Sequence, residues 1–220
     1  MNVLGIETAT AATAVALLAP SGERYHLVLD DQRRHGEVLT EGIARLLARA
    51  DLDPAQLERV VVDRGPGLFT GLRVGVATAV ALALATDASL VAVTSLELLA
   101  RGAWRAGVRG RLLGVVDARR GELFLQGFAL GEDVVATDGA RVAPASEWAS
   151  ALGEGEFTVT GDGAARYREL FAAAPVFDQR IPPVLEAIDL ALARPAGDVT
   201  PLYLREADAV ANFATRATDP

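Results

Sequence analysis

Asp63-Arg64-Gly65-Pro66-Gly67-Leu68-Phe69-Thr70-Gly71-Leu72-Arg73-Val74-Gly75 is the stretch from which the rest of the chain is best read. Gly-Pro-Gly at 65–67 interrupts helix and strand alike. A β-branched run, Val60-Val61-Val62, lies before it, and a nearly apolar segment from Val74 to Ala85 follows. The pattern predicts a strand, a tight glycine loop and the start of a buried helix. Free backbone N–H groups at the positive end of a helix dipole make such a loop an anion site. A plain strand-to-helix connector is the competing reading. Arg73 falls in the first turn, where a cation opposes the dipole. That mismatch predicts a salt bridge or an interface contact for it.

The chain has 220 residues, 51% hydrophobic and 23% charged, which predicts a folded globule with a sizeable core. Its net charge of −8 speaks against strong direct binding to nucleic acid, because neutralising phosphates needs clustered cations. Lysine and cysteine are both absent, so no disulfide, thiolate nucleophile or cysteine-held zinc is available. The two histidines, His26 and His35, are nine residues apart and form no His-x-x-x-His or His-Glu-x-x-His pattern, so no metal site is expected. No Gly-x-Ser-x-Gly elbow occurs. With no leader-like N-terminus, and an apolar run of only 12 residues, the expectation is a cytoplasmic protein with no membrane partner.

Residues 2–8, 13–18 and 24–30 read as three strands joined by short turns, an antiparallel meander. A helix over 35–50 follows, with Val38, Leu39, Gly42, Ile43, Leu46, Leu47 and Ala50 as its apolar stripe. Asp53-Pro54 reads as a cap with proline at the first helical position. After the 60–62 strand and the helix over about 71–86, residues 90–93 read as a strand. Thr94 or Ser95 then caps a helix ending near Trp104. Three antiparallel strands followed by helix-linked parallel ones is the ribonuclease-H-like order, and the expected class is α/β. A polar stretch at 105–110 divides a first lobe, 1–105, from a smaller second one, 106–220. The second lobe is read as a hairpin over 111–130 turning at 117–121, helices over 144–152 and 164–173, a strand over 157–160, a helix over 184–193 and an extended piece at 200–205.

The glycine-rich signature at 65–75 resembles that of the TsaB (YeaZ) family. So do Leu4-Gly5-Ile6-Glu7-Thr8-Ala9-Thr10, His35-Gly36-Glu37, Asp117-Ala118-Arg119-Arg120-Gly121-Glu122, Gly161-Asp162-Gly163 and Pro201-Leu202-Tyr203-Leu204-Arg205. The resemblance spans nearly the whole chain. It implies an actin-like ATPase fold of two ribonuclease-H-like lobes, the second reduced. It implies a non-catalytic subunit of the system that makes N6-threonylcarbamoyladenosine at position 37 of tRNAs reading ANN codons. The implied partners are the transferase TsaD and the ATPase TsaE; an apolar patch that docks TsaD could also pair with a second copy, giving a homodimer when the chain is alone. No cofactor of its own is expected, although ATP or ADP with Mg²⁺ could sit in the assembled complex. An autonomous ATP-dependent kinase of the same fold is the rival reading. Two departures stand out: Leu68 where the family commonly has Ser, and Glu7 where it commonly has Asp.

Small residues at spacing four on the 71–86 helix, and others off the main stripe of the 35–50 helix, suggest an apolar surface for a partner. The family precedent is a helical bundle shared with TsaD. The expected contact residues are His35, Val38, Leu39, Gly42, Ile43 and Leu46 on one helix. On the next they are Thr70, Gly71, Arg73, Val74, Gly75, Ala79 and Ala83, so charging Ala79 or Ile43 should break docking. Glu7, Thr8, Thr10, Gly65, Gly67, Arg119, Gly161, Asp162 and Gly163 are the expected nucleotide contacts, vestigial or completed at an interface. For Arg119 a plain charged hairpin turn competes evenly with that role.

Overall fold

The computed structural model describes residues 1–29, 35–151 and 156–205. The first sheet has strands β1 (Val3–Glu7), β2 (Thr13–Leu18), β3 (Arg24–Leu29), β4 (Arg59–Asp63) and β5 (Ser89–Val93), in the order β3-β2-β1-β4-β5. β1 runs antiparallel to β2 and parallel to β4. This is the ribonuclease-H-like arrangement expected from the element order. β1 and β2 are buried along their whole length, as their unbroken apolar runs require of strands covered on both faces.

Helices α1 (His35–Arg49) and α2 (Phe69–Thr86) cover one face of this sheet. Glu37 in the first turn of α1 and Arg49 in its last suit the helix dipole. Gly42 lets α1 come close: a methyl there would lie 2.8 Å from Leu29 Cδ1 and 3.2 Å from Val15 Cγ2. The turn between α1 and β4 is capped by Asp53, which accepts from the Ala55 amide, while Gln56 reaches back to the Asp53 amide. This confirms the proline-led cap, although the helical piece is a single 3₁₀ turn. α2 ends at Asp87, whose left-handed conformation stops the helix.

The second sheet contains β6 (Gly110–Arg119), β7 (Glu122–Leu130), β8 (Val134–Ala136), β10 (Thr158–Thr160) and β11 (Val176–Phe177), ordered β11-β10-β6-β7-β8. A further strand, β9 (Arg141–Pro144), pairs with β7. Sequence reading did not separate β8, β9 and β11, which are two to four residues long. Within the expected helix over 144–152, residues 145–151 are 3₁₀, and Leu152 lies outside the described residues. The expected helix over 164–173 is reduced to α4 (Asp162–Arg166), because turns take over from Tyr167.

The two-lobe partition needs one correction. α3 (Ser95–Arg105) lies between the sheets. It sends Leu98 towards the first, and Leu96, Leu99, Ala100 and Ala103 onto Leu112, Val116 and Phe128 of the second. α5 (Val184–Ala193), assigned from sequence to the second lobe, returns to the first. Its Val184, Ala187, Ile188, Leu190 and Ala191 join Val3, Ala14, Ala16, Val61 and Val91 in one core. Arg59 of β4 donates to the carbonyls of Ala191 and Arg194, fixing the end of α5. Apolar patterning marked α5 as buried but carried no information on which sheet it covers. Ile188 is fully buried. Ile188→Ala should therefore cost about 2–5 kcal/mol in a denaturant melt, as for a first-lobe core residue.

Candidate functional site

Three carboxyls gather at the C-terminal ends of the strands. Ile6 of β1 faces Val62 of β4, so Glu7 and Asp63 stand side by side at the ends of parallel neighbours. Asp162 follows β10 across the lobes and is close enough to act electrostatically on Glu7. Glu7 and Asp63 are both 0% exposed. Glu7 Oε1 accepts from the amides of Ala9 (2.8 Å) and Thr10 (3.1 Å). Asp63 Oδ1 accepts from the Gly65 amide (2.8 Å) and the Ser95 hydroxyl (3.0 Å). Glu7 Oε2 and Asp63 Oδ2 have no partner. Burial first, and the Asp63 charge second, hold the Glu7 carboxyl well above its usual range. Burial pushes Asp63 up to about 7 and Asp162 up to about 6.

Glu7, Thr8 and Thr10 are expected from sequence as nucleotide contacts, vestigial or completed at an interface. In the hairpin from Glu7 to Thr13 the chain's own Glu7 side chain takes the Ala9 and Thr10 amides. The glycine loop closes down on the same hairpin. The Leu68 amide donates to the Ala9 carbonyl at 2.7 Å, and a Cβ at Gly67 would lie 2.1 Å from that oxygen. Thr8 Oγ1 donates to the Gly71 carbonyl (2.7 Å) and stands 2.2 Å from where a Gly75 Cβ would be. Gly65 has φ +105°, a conformation that favours glycine. In the second lobe a Cβ at Gly161 would meet the Val115 carbonyl at 2.0 Å, and one at Gly163 would meet Val115 Cγ1 at 2.8 Å. The glycines at 65, 67, 75, 161 and 163 thus fit chain against chain. In this arrangement they close one segment against another, and two of the hairpin's amides are already taken by Glu7. Among the described residues no group of three or more His, Asp or Glu side chains converges on a metal position.

Arg119 sits in the β6–β7 turn with φ +65°, followed by Arg120 and Gly121, also left-handed. Its amide and guanidinium both donate to Asp117, which Arg166 also approaches at 3.5 Å. Asp162 Oδ1 accepts the Asp117 amide at 3.0 Å. Asp162 thus links this group to Glu7, by a hydrogen bond to the Asp117 amide and an electrostatic influence on the Glu7 carboxyl, whereas Arg119 is engaged locally. Ser95 and Asp63 were missed as site residues. Asp63 was legible in part, as an acid ending a valine strand just before a glycine loop.

The two helices are arranged differently from the sequence expectation. Leu39, Gly42, Ile43 and Leu46 of α1 are buried in the first core, with Val38 half-buried. Gly71, Gly75, Ala79 and Ala83 of α2 also face inward. Those residues hold the helices to the sheet, so charging Ala79 or Ile43 would strike the core. His35 opens α1, but its side chain lies outside the described residues. The outward face of α2 consists of Phe69, Thr70, Arg73, Ala77, Ala81, Leu84 and Ala85, with Val74 half-buried. Leu84 is 82% exposed. The spacing-four pattern gave two small-residue sets, and only the fold shows which one faces the sheet. α2 is 18 residues long, and by length and composition alone it could cross a membrane; 33% of that window is buried.

A family model described as TsaD, tRNA N6-adenosine threonylcarbamoyltransferase, matches residues 30–174. The tRNA threonylcarbamoyladenosine biosynthesis protein TsaB of Escherichia coli is 34% identical over 124 residues, 56% of this chain and 53% of that one. An uncharacterised protein of Mycobacterium tuberculosis is 35% identical over 214 residues, 94% of this chain and 93% of that one. YeaZ from Pseudomonas aeruginosa superposes with a TM-score of 0.80 at 26% identity, covering 92% of this chain and 99% of that one. The chain belongs to the TsaB (YeaZ) family, which shares its domain with the TsaD threonylcarbamoyltransferases. It spans about half the length of the curated TsaB relatives it matches.

The carboxyl pair has a consequence for stability. Groups whose pKa is raised in the folded state bind more protons there than in the unfolded chain. Their contribution to stability is complete below the unfolded pKa and is lost as pH rises towards the folded one. For Asp63 that window runs from 3.8 to about 7. Between these limits Asp63→Asn should flatten the decline by on the order of a few kcal/mol relative to wild type, read from urea melts across pH. The Asn can keep the Oδ1 bonds while offering an N–H where Oδ2 has no partner.

Proposed function

We propose that this chain is a non-catalytic subunit of the assembly that forms N6-threonylcarbamoyladenosine in tRNA, and that it acts by docking the transferase TsaD. The observation that carries this reading is the outward face of α2. Arg73 is its only charged side chain up to Asp87, and an apolar strip from Ala77 to Ala85 ends in the exposed Leu84. Such strips on a folded chain mark partner surfaces. The TsaD model covers residues 30–174, a span that includes both α1 and α2, so TsaD is expected to carry a homologous helix pair. The outer face of α1 is charged, with Glu37, Glu41, Arg45 and Arg49, so it is the apolar strip of α2, set against its counterpart in TsaD, that would form the centre of a shared helical bundle. TsaE would join through the assembled pair, and ATP or ADP with Mg²⁺ would belong to that assembly.

The rival kinase reading finds no support in the hairpin, where Glu7 takes the amides a phosphate would need. Binding here acts on TsaD as a conformational preference, limited by the difference in affinity for its two states. The test is copurification with TsaD. Leu84→Asp should weaken the pair at least about 100-fold while leaving the melting temperature within a few degrees, since the side chain is solvent-exposed. Wild-type affinity in that variant would remove α2 as the docking face. Calorimetric titration of the isolated chain with ATP and Mg²⁺ should show no heat of binding; micromolar affinity with turnover would restore the kinase reading.

A further inference from the structure

Arg73 was left by the sequence as a cation at the wrong end of a helix. The fold gives it a mount but no countercharge. Its guanidinium lies over the Phe69 ring, 3.8 Å from the centroid, and its Nε–H donates to the Tyr203 hydroxyl at 3.3 Å. Phe69 and Tyr203 pack against each other with centroids 5.2 Å apart. Tyr203 is itself held from behind, because the neighbouring Leu202 amide donates to the Arg64 carbonyl at 2.7 Å. All three side chains reach the surface, with Phe69 36% and Tyr203 43% exposed. Among the described residues no carboxylate pairs with Arg73. The helix begins at Phe69, so Arg73 lies one turn in, beyond the reach of the dipole mismatch expected from sequence. What marks it is that it is stacked and oriented but has no carboxylate partner among the described residues, an arrangement suited to meeting something outside the chain.

Resting on the docking proposed above, we infer that the Phe69–Arg73–Tyr203 cluster is the anchor of that interface, and that TsaD presents a carboxylate side chain to it. Laying a helix along the apolar strip from Ala77 to Ala85 covers the first turns of α2 as well. Arg73 would then lose solvent, which is unfavourable unless an acidic group meets its free Nη atoms. The stack on Phe69 and the Tyr203 bond fix the guanidinium plane in advance, so little side-chain freedom remains to be lost on docking. Arginine with flanking aromatics is also the composition found where binding energy concentrates. Tyr203 is a positioning residue here: it holds Nε and leaves the outer edge of the fork for the partner.

The experiment measures dissociation constants between the full chain and TsaD from 50 to 500 mM NaCl, with three variants. Arg73→Met, which keeps an apolar stem over Phe69, should weaken binding about 30-fold or more at low salt and remove most of the salt dependence. Arg73→Lys should keep the salt dependence but recover only part of the affinity, since an ammonium lacks the planar fork. Leu84→Asp reports on the docking face itself. Loss of binding in Leu84→Asp alongside near-wild-type affinity in Arg73→Met would overturn the anchor and leave the docking face standing. Weaker binding in Arg73→Met with an unchanged salt dependence would also overturn it, because Arg73 would then act by packing alone. Wild-type affinity in Leu84→Asp would remove the docking face on which the inference rests.

Discussion

The first lobe depends on one contact, the 2.7 Å bond from the Leu68 amide to the Ala9 carbonyl. Only glycine at 67 allows it, since any side chain would strike that oxygen. The bond seals the glycine loop onto the β1–β2 hairpin and sets where α2 begins. Thr8 then reaches the Gly71 carbonyl, and Gly75 lets α2 lie against the same threonine. On the other side of the loop, Asp63 and the Ser95 hydroxyl tie it to the start of α3. One loop therefore positions two helices, and through α3 it connects the two sheets.

The same closure settles the chemistry at the strand ends. A hairpin whose amides are bound by its own Glu7 has little left to offer a phosphate. Burial of two carboxyls with one unpartnered oxygen each raises the pKa of both, Asp63 to about 7. The strand ends keep the acidic residues that this fold brings together, buried and each with one oxygen bound by the chain itself and one without a partner. What the first lobe presents outward is a helix face, apolar along most of its length and cationic at its start.

The sequence made much of this legible. Unbroken apolar runs in β1 and β2, the antiparallel meander, the proline-led cap at Asp53 and the loop–helix sequence at 63–86 all follow from local rules of backbone sterics and periodicity. Those rules fixed the fold class, and the motifs fixed the family. For Arg73 the dipole argument depended on where the helix starts: the fold begins it at Phe69, and sets the guanidinium over Phe69 and beside the Tyr203 hydroxyl, with no salt bridge among the described residues.

Tertiary structure alone decided three things. Small residues recur every fourth position on two sides of α2, and a helix wheel cannot say which side meets the sheet; Gly75 and Ala79 do, so Ala77 and Leu84 face out. The apolar faces of α3 and α5 could serve either sheet, and the fold set α3 between them and returned α5 to the first. Finally, the mutual repulsion of Glu7 and Asp63 and the Arg73–Tyr203 bond arise between residues 56 and 130 positions apart respectively. Local pattern reports the periodicity of an element. Which face is covered, and by what, depends on contacts between segments that only the folded chain brings together.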